Sequence, residues 1–367
     1  MRILITGANG FIARNLSVHL KEMDGVSVLE FSRKNTQQEL INMCSDADAV
    51  VHLAGINRPE NDDEFSEGNH HLTEVICNAL KSTGRKIPIL FTSSIQAKLN
   101  NPYGSSKLAA ENAINSYSKT TGSNVFIYRL PNVFGKWCKP NYNSVVATFC
   151  YNIVNNLEVN ISDPNVELNL VYIDDVVKDF VSKIFPKEIT NTTEVNPVYN
   201  IKLSELATLV RTFRDDNELL NIERVGDGLT RCLYSTYLSY KTPDMFSYKL
   251  MSHKDNRGVF VEMLKTKDSG QFSYFTAHPG VTRGGHYHHS KNEKFLVIKG
   301  DAKFKFRNIV TNESFELNTS GQTPEVVETI PGWSHDITNE GDEEMIVMLW
   351  ANEIFDSKNP DTYSSSL

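Results

Sequence analysis

Residues 2–13 read RILITGANGFIA, an apolar strand that runs through a glycine-containing turn into the start of a helix. Gly7 allows a tight turn after the strand, and Gly10 lets the backbone approach a ligand closely. Ala13 is small enough for the helix to pack against the strand. This order predicts a first βα unit that binds the pyrophosphate of a dinucleotide at the N-terminus of its helix.

The same alternation of apolar strands and amphipathic helices continues to about residue 180. VSVLEF, DAVVHLAG, IPILFTSS and NVFIYRL have the character of strands, and helical segments separate them. Repeated βα units predict a Rossmann-type α/β fold, a doubly wound parallel sheet with helices on both faces.

The chain changes character near residue 250. GVFVEML, FSYFTA, EKFLVIKG, DAKFKFRN and MIVMLW are short, closely spaced apolar segments with turn residues between them. They predict an all-β barrel or sandwich. We place the boundary near residue 245, which gives one domain over residues 1–245 and a second over residues 246–367.

Composition excludes several classes of protein. The 367 residues, 40% hydrophobic and 22% charged, suffice for two globular domains. A formal net charge of -8 without a dense basic run argues against nucleic acid as a partner. The sequence shows no bilayer span and begins with a strand pattern rather than a signal peptide, so we expect a cytoplasmic protein without membrane insertion. Five scattered cysteines predict buried free thiols.

The end of the second strand indicates which nicotinamide cofactor binds. Sites that prefer NAD usually carry an acidic residue there, which binds the ribose 2′-hydroxyl. Aligning VLEFSR by its apolar pattern instead places Ser32 and Arg33 at this position, a pair suited to a 2′-phosphate. The sequence therefore favours NADPH. The alternative is that Glu30 takes the acidic role and Arg33 is solvated.

A tyrosine, a lysine and a serine form a candidate reductase site. The strand Ile89–Ser94 precedes Tyr103 and Lys107, whose spacing of four places them on one face of a helix. Reduction of a ketone needs a proton for the developing alkoxide, and a tyrosine donates it readily when a nearby cation lowers its pKa. We assign these roles to Tyr103 and Lys107, and we prefer Ser94 to Ser93 as the group that holds the carbonyl oxygen.

With the glycine-containing turn ahead of it, this set resembles the extended short-chain dehydrogenase/reductase family, whose members act mostly on nucleotide sugars. His52–Gly55, Asn69, Arg129–Gly135 and Tyr172–Val176 match the family as well, so the resemblance covers about the first 240 residues. It implies that Pro131 packs on the nicotinamide and that Asn132 contacts the substrate's diphosphate. The predicted cofactor contacts are Gly7, Asn9, Gly10, Phe11, Ile12, Ser32, Arg33, Leu53, Ala54, Gly55, Tyr103, Lys107 and Pro131.

Five of the ten histidines fall between residues 278 and 335. Gly280, His286, His288, Glu293 and Gly300 give the pattern Gly-x5-His-x-His-x4-Glu-x6-Gly, and PGWSHDITN follows at residues 331–339. Both segments resemble the signature motifs of the cupin family, which implies a jelly-roll barrel. Histidines two apart on a strand face the same side. His286, His288, Glu293 and His335 would form a site for one divalent metal, with zinc the first choice.

The barrel also resembles the sugar-nucleotide 3,5-epimerase branch of the cupins. The matching segments are DNRGVFVE at residues 255–262, Gln271 with Ser273, and RGGHY at residues 283–287, which makes Arg283 a candidate substrate contact. In that branch the residue matching His286 is the catalytic base and no metal is bound. The two resemblances therefore give His286 different roles, although a metal acting as a Lewis acid on the enolate oxygen would reconcile them.

As a whole, the chain resembles the bifunctional reductase–cupin enzymes of capsular polysaccharide synthesis. The resemblance implies epimerisation at C3 of a UDP-4-keto-6-deoxy-N-acetylhexosamine by the cupin and reduction at C4 with NADPH by the first domain. The product would be UDP-N-acetyl-L-6-deoxytalosamine, a precursor of UDP-N-acetyl-L-fucosamine. Family habit implies a homodimer, paired through the cupin domain. Two alternatives stay open: a reductase whose cupin serves dimerisation, and a non-catalytic NADPH-binding sensor, which the presence of both Tyr103 and Lys107 disfavours.

Overall fold

The structure is a computed structural model, which describes residues 1–57, 59, 61, 63–186, 192–218, 221–250, 253–255, 258–260, 265–266, 271–353 and 358–367. The chain divides into two compact units, one of Met1–Trp137 with Leu168–Asn200 and one of Cys138–Glu167 with Ile201–Leu367. The division into residues 1–245 and 246–367 stays a prediction.

The first unit is built on a parallel five-stranded sheet. Its strands are β1 (Arg2–Thr6), β2 (Ser27–Phe31), β3 (Ala49–His52), β4 (Ile89–Ser94) and β5 (Val125–Leu130). They lie in the order β2-β1-β3-β4-β5. The strand β2 lies on one side of β1 and the strands β3 to β5 follow on the other side, so the strand order reverses between β1 and β3. A second sheet has the order β6-β7-β8, formed by β6 (Asn132–Phe134), β7 (Glu167–Tyr172) and β8 (Tyr199–Lys202).

Helices cover both faces of the five-stranded sheet. On one face, α1 (Phe11–Lys21) and α7 (Ile173–Ile184) pack together. The other face carries α2 (Gln37–Asp46), α4 (Leu72–Ser82) and α5 (Pro102–Thr121), whose apolar side chains share one core with those of β1, β3 and β4. The short helix α3 (Asp63–Phe65) leads through a π-helical turn, Ser66–His71, into α4, and a 3-10 turn, Ile95–Lys98, follows β4. The prediction of a doubly wound Rossmann-type sheet is confirmed.

The second unit contains a helical part and two antiparallel sheets. The helices are α6 (Val145–Val154), α8 (Leu203–Glu218) and α9 (Gly228–Leu238), followed by a 3-10 turn at Pro243–Met245. One sheet has the order β10-β19-β16-β21-β14 and the other β18-β17-β20-β15-β22. Their strands are β10 (Ser247–Lys249), β14 (Gln271–Ala277), β15 (Thr282–Tyr287), β16 (Glu293–Lys299), β17 (Asp301–Asn308), β18 (Ser314–Ser320), β19 (Glu325–Glu328), β20 (Trp333–Asn339), β21 (Met345–Ala351) and β22 (Tyr363–Ser364).

Short strand pairs complete this unit: β9 (Asn221–Ile222) pairs with β13 (Lys265–Thr266), and β11 (His253–Asp255) with β12 (Gly258–Phe260). Aromatic side chains fill the core between the two large sheets, among them Phe246, Phe304, Phe306 and Trp333. This confirms the predicted all-β jelly-roll region. None of the helices in the described parts of the chain is both long and apolar enough to cross a bilayer.

Candidate functional site

The turn between β1 and α1 presents its backbone at the edge of the sheet. Gly7 has a φ of +69°, and a Cβ there would lie 2.8 Å from backbone atoms of Ala54, so a larger residue does not fit. The Gly10 N–H donates to the Gly7 carbonyl at 2.7 Å, and α1 begins at the next residue without a side-chain cap at Gly10. The first N–H groups of α1 can therefore bind an anion such as a phosphate.

A buried hydrogen-bond chain holds this turn against the end of β3. The Thr73 hydroxyl donates to the Asn69 carbonyl at 2.5 Å, so it must accept from His52 Nε2, 2.8 Å away. His52 Nδ1 then accepts from the Thr6 hydroxyl at 2.7 Å, and Thr6 in turn accepts from the Ala54 N–H at 3.2 Å. Burial and the nearby Lys107 lower the pKa of His52 to about 3. A neutral imidazole of one fixed tautomer thus ties the ends of β1 and β3 to α4.

A cavity of about 730 Å³ opens beside the turn, where the strand order reverses. Open α/β sheets bind their ligands at this kind of switch point. The predicted cofactor residues that line the cavity are Gly7, Asn9, Gly10, Ser32, Arg33, Leu53, Ala54 and Gly55. Sequence reasoning missed other lining residues, among them Lys34, Gln37, Ile56, Glu64 and His71. The predicted contacts that are not part of this lining are Phe11, Ile12, Tyr103, Lys107 and Pro131.

Glu30 is engaged away from the cavity. Its Oε1 accepts a hydrogen bond from the Ser17 hydroxyl and another from Lys21 Nζ, both at 2.7 Å. Ser32 and Arg33, by contrast, line the cavity, and Lys34 next to them adds a second positive charge. The acidic residue near the end of β2 is therefore held by α1, and the two cations line the cavity.

Tyr103, Ser94 and Lys107 come together at the carboxyl end of β4. Burial raises the pKa of Tyr103, and the neighbouring Ser94 side chain opposes the rise. Lys107 Nζ donates to the Thr92 carbonyl at 3.1 Å. A Cβ on Gly55 would lie 3.0 Å from that Nζ, which places the ammonium directly behind a residue that lines the cavity. Burial lowers the pKa of Lys107 to about 8, and Glu111 opposes the shift.

The neighbouring serine has a different partner. The Ser93 hydroxyl donates to Glu111 Oε1 at 2.5 Å, and Glu111 also pairs with Arg129 at 2.6 Å. Ser94 lies beside Tyr103, and its role in holding the carbonyl oxygen stays a prediction. Pro131 and Asn132 follow β5 at the same edge, because the last residue of β5, Leu130, pairs with Ser94.

Asn69 is a supporting residue whose contacts the sequence did not reveal. It is 1% exposed, and its Oδ1 accepts from the Ile56 N–H at 2.9 Å while its Nδ2 donates to the Ser106 hydroxyl at 3.0 Å. Asn69 therefore fastens the loop after Gly55 to the helix that carries Tyr103 and Lys107. Its place at the start of a helix was the only signal in the sequence.

In the second unit, the four predicted metal ligands converge. His286 lies in β15, His288 directly follows that strand, Glu293 begins β16 and His335 lies in β20. Their candidate ligand atoms all lie within 4.8 Å of one another. The Nε2 atoms of His288 and His335 are 3.3 and 3.5 Å from Glu293 Oε2. Ligand atoms around a tetrahedral zinc ion are about 3.4 Å apart, so the geometry and the chemistry of this donor set fit a divalent transition metal.

The charge states of these residues suit metal binding. Burial lowers the pKa of His286 to about 4, with His335 and His288 adding to the shift, and burial also lowers the pKa of His335. Burial alone would raise the pKa of Glu293, but its contacts with His288 and His335 hold that pKa well below the usual value. Neutral imidazoles and an ionised carboxylate are the forms that bind metals.

Two glycines shape the strand that carries His286. Gly284 and Gly285 have φ values of +104° and +72°, and the register between β15 and β20 shifts after Gly284, so that His286 pairs with His335. A Cβ on Gly284 would lie 2.8 Å from the His335 carbonyl oxygen, whereas one on Gly285 would meet nothing within 4 Å. This bulge brings the two histidines together.

Lys291 is a member of this site that sequence reasoning missed. It is buried, and its Nζ lies 2.8 Å from Glu293 Oε1, the carboxylate oxygen that does not face the histidines. A lysine two residues before a predicted ligand gave no signal, because loop lysines are usually solvated.

The residues behind the epimerase resemblance are only partly described. Arg283 is exposed, and its guanidinium lies 5.4 Å from the centre of the Phe275 ring. Asn256, Arg257, Val261 and Glu262 lie outside the described residues. His286 belongs with His288, Glu293 and His335 to one group of candidate ligands, the metal-type cluster.

Comparison with known proteins identifies the family. The NAD dependent epimerase/dehydratase family matches residues 3–196, and the polysaccharide biosynthesis C-terminal domain matches residues 253–363. UDP-2-acetamido-2,6-beta-L-arabino-hexul-4-ose reductase of Pseudomonas aeruginosa is 55% identical over 369 residues, which cover 100% of this chain and 99% of that protein. The chain belongs to the NAD dependent epimerase/dehydratase family.

Solved structures agree with this family. The crystal structure of the capsular polysaccharide assembling protein CapF from Staphylococcus aureus matches with a TM-score of 0.69 and 43% identity over 100% of both chains. This confirms the resemblance to the capsular polysaccharide enzymes. UDP-glucuronic acid 4-epimerase from Bacillus cereus, 18% identical, covers 59% of this chain and 83% of its own with a TM-score of 0.53, a likeness of fold alone.

Proposed function

We propose that this protein reduces the C4 ketone of a UDP-linked 4-keto-6-deoxy-N-acetylhexosamine with NADPH, after epimerising the sugar at C3 in its cupin region. The observation that carries the reductase is the placing of Tyr103 beside Ser94 at the end of β4, with buried Lys107 behind Gly55 of the switch-point cavity. The reductase named in Pseudomonas aeruginosa, 55% identical, supports the keto-sugar substrate.

The residues of the first unit would act together in the reduction. NADPH bound in the cavity would supply a hydride to C4. Ser94 would hold the carbonyl oxygen next to the Tyr103 hydroxyl, which gives its proton to that oxygen as negative charge develops. The ammonium of Lys107 would lower the cost of the resulting tyrosinate. One hydride and one proton thus convert the ketone to an alcohol.

The choice of NADPH rests on the end of β2. Ser17 and Lys21 of α1 hold the Glu30 carboxylate through its Oε1, and Glu30 is not part of the cavity lining. Ser32, Arg33 and Lys34 line the cavity instead and would bind a 2′-phosphate through charge-assisted hydrogen bonds.

For the cupin region, we propose that His286, His288, Glu293 and His335 hold one divalent metal, with zinc as the first choice. Such an ion would stabilise negative charge on the enolate oxygen next to C3. The proton at C3 is acidic because of the C4 ketone, and its return on the opposite face inverts that carbon. A homodimer of the chain stays a prediction, which analytical ultracentrifugation tests.

The test uses Tyr103→Phe in heavy water with the UDP-4-keto sugar and NADPH. We expect NADPH oxidation to fall by about 10²–10⁴-fold, because the proton donor is lost, while deuterium still enters at C3. Tyr274→Phe, whose ring is 71% exposed on β14, is the matched control and should keep both activities. Unchanged NADPH oxidation in Tyr103→Phe would refute the reductase site. Absence of deuterium uptake in the wild type would leave a reductase whose cupin has a structural role.

A further inference from the structure

The serine-rich end of the chain is part of the barrel wall next to the metal-type cluster. Its strand β22 pairs with β15, with Ser364 opposite His286 and Tyr363 opposite Tyr287. The Ser365 N–H donates to the Gly285 carbonyl at 2.8 Å. The segment is rich in serine, and it lies along the strand that carries a candidate ligand.

The Asp361 carboxylate holds the loop between His288 and Glu293. Its Oδ1 accepts from the His289 N–H at 2.8 Å, and its Oδ2 accepts from the N–H groups of Ser290 and Lys291 at 2.7 and 2.6 Å. The Ser290 hydroxyl adds a fourth bond at 3.0 Å. Four donors on one carboxylate fix the path of this short loop, since hydrogen bonds to an ionised acceptor are stronger than neutral ones.

The carbonyl of the same residue contacts a candidate ligand directly. The Asp361 carbonyl oxygen is hydrogen-bonded to His288 Nδ1. A carbonyl oxygen can only accept, so Nδ1 carries the proton, and in the neutral ring Nε2 then has the lone pair that a metal ligand needs. That Nε2 is the atom 3.3 Å from Glu293 Oε2.

The loop also orders the carboxylate ligand. Lys291, whose N–H is bound by Asp361, directs its Nζ to Glu293 Oε1 at 2.8 Å. The other oxygen, Oε2, is thereby left to face His288 and His335. Asp361 thus acts on two ligands, on His288 through its carbonyl and on Glu293 through Lys291.

We propose that Asp361 is the positioning residue of the metal site, which sets the tautomer of His288 and the orientation of Glu293 from the C-terminal segment. This inference rests on the proposed metal site. Mutation of residues that hold metal ligands through hydrogen bonds typically weakens metal affinity by about 10–100-fold.

The first experiment measures zinc affinity of the full chain with a competing chelator. We expect Asp361→Asn to bind zinc about 10–100-fold more weakly than the wild type, with an unchanged circular dichroism spectrum. The control Asp342→Asn, on an exposed loop before β21, should match the wild type. Unchanged affinity in Asp361→Asn, while His335→Ala loses zinc, would overturn the role of Asp361 alone. Unchanged zinc binding in His335→Ala would instead show that the proposed metal site is wrong.

A second readout does not depend on the variant folding. In long-range ¹H–¹⁵N spectra of the metal-free wild type, with His288 assigned by His288→Ala, we expect His288 to be protonated on Nδ1. Free histidine prefers a proton on Nε2, so a protein that merely packs this ring would show that form. Observation of a ring that lacks a proton on Nδ1 and carries its proton on Nε2 would overturn the proposal.

Discussion

Glu30 and Arg33 lie three residues apart at the end of β2, and their side chains have opposite surroundings. The carboxylate of Glu30 is bound by Ser17 and Lys21 of α1, while Arg33 lines the switch-point cavity. Successive side chains of a β-strand point to opposite faces of the sheet. A shift of one residue in the alignment of β2 therefore changes which side chain is predicted to meet a ribose. Sequence alignment by apolar pattern predicted this difference but could not show what holds Glu30.

Arg33→Ala tests this assignment. We expect kcat/KM for NADPH to fall about tenfold, because the loss of one charge-assisted contact costs about 1.5 kcal/mol, while kcat/KM for NADH stays the same. Glu30→Gln is the control and should leave the preference between the two cofactors unchanged. Steady-state kinetics with both cofactors measure the effect. An equal loss with NADPH and NADH, or a selective loss of NADH activity in Glu30→Gln, would contradict the assignment.

The helices and strands that follow a simple hydrophobic periodicity were predictable from the sequence. The alternation of strands and helices predicts the doubly wound sheet, and the positions of Tyr103 and Lys107 on α5 follow from helical periodicity. The contacts that support them were not predictable, because they join distant segments. Thr6, His52 and Thr73 form one hydrogen-bond chain across β1, β3 and α4, and no spacing in the sequence reveals it.

In the second unit, strand β15 shows the same limit of prediction from sequence. His286 and His288 were predicted to face one side of a strand, but β15 ends at Tyr287 and His288 lies in the loop beyond it. What aligns His286 with His335 is the bulge at Gly284, and what aligns His288 is a carbonyl of the C-terminal segment. The motif therefore predicted which residues are candidate ligands, whereas only the structure shows which contacts position them.

The glycine pair in β15 offers a test at this scale. Both residues have positive φ, so alanine at either position costs roughly 1–2 kcal/mol of backbone strain. Only at Gly284 would the added Cβ also collide with the His335 carbonyl, 2.8 Å away. We expect Gly284→Ala to lose zinc affinity at least about tenfold, as a displaced ligand would, and Gly285→Ala to keep it. Chelator competition measures both; equal affinities in the two variants would show that the bulge does not position the site.

At the scale of the whole molecule, the residues assigned to each proposed reaction lie within one compact unit. Ser94, Tyr103 and Lys107 belong to the first unit, and the metal-type cluster and Asp361 belong to the second. Both reactions act on neighbouring carbons of one sugar, because the ketone that makes the C3 proton acidic is the ketone that is later reduced. Reduction removes that acidity, so epimerisation has to come first.

This order makes a prediction about mixed variants. Tyr103→Phe should retain epimerisation, and His288→Ala should lose it together with the metal while NADPH still binds with wild-type affinity. Neither variant alone should form the doubly converted sugar nucleotide. A mixture of the two should form it after a lag, during which the epimerised ketone is released by one variant and captured by the other. Anion-exchange chromatography of the UDP-sugars follows the product over time.

The control is Tyr103→Phe mixed with a variant that carries both substitutions, and this mixture should give no doubly converted product. If the first mixture also gives none, although each variant retains its own half of the chemistry, the ketone does not pass through solution between the two sites.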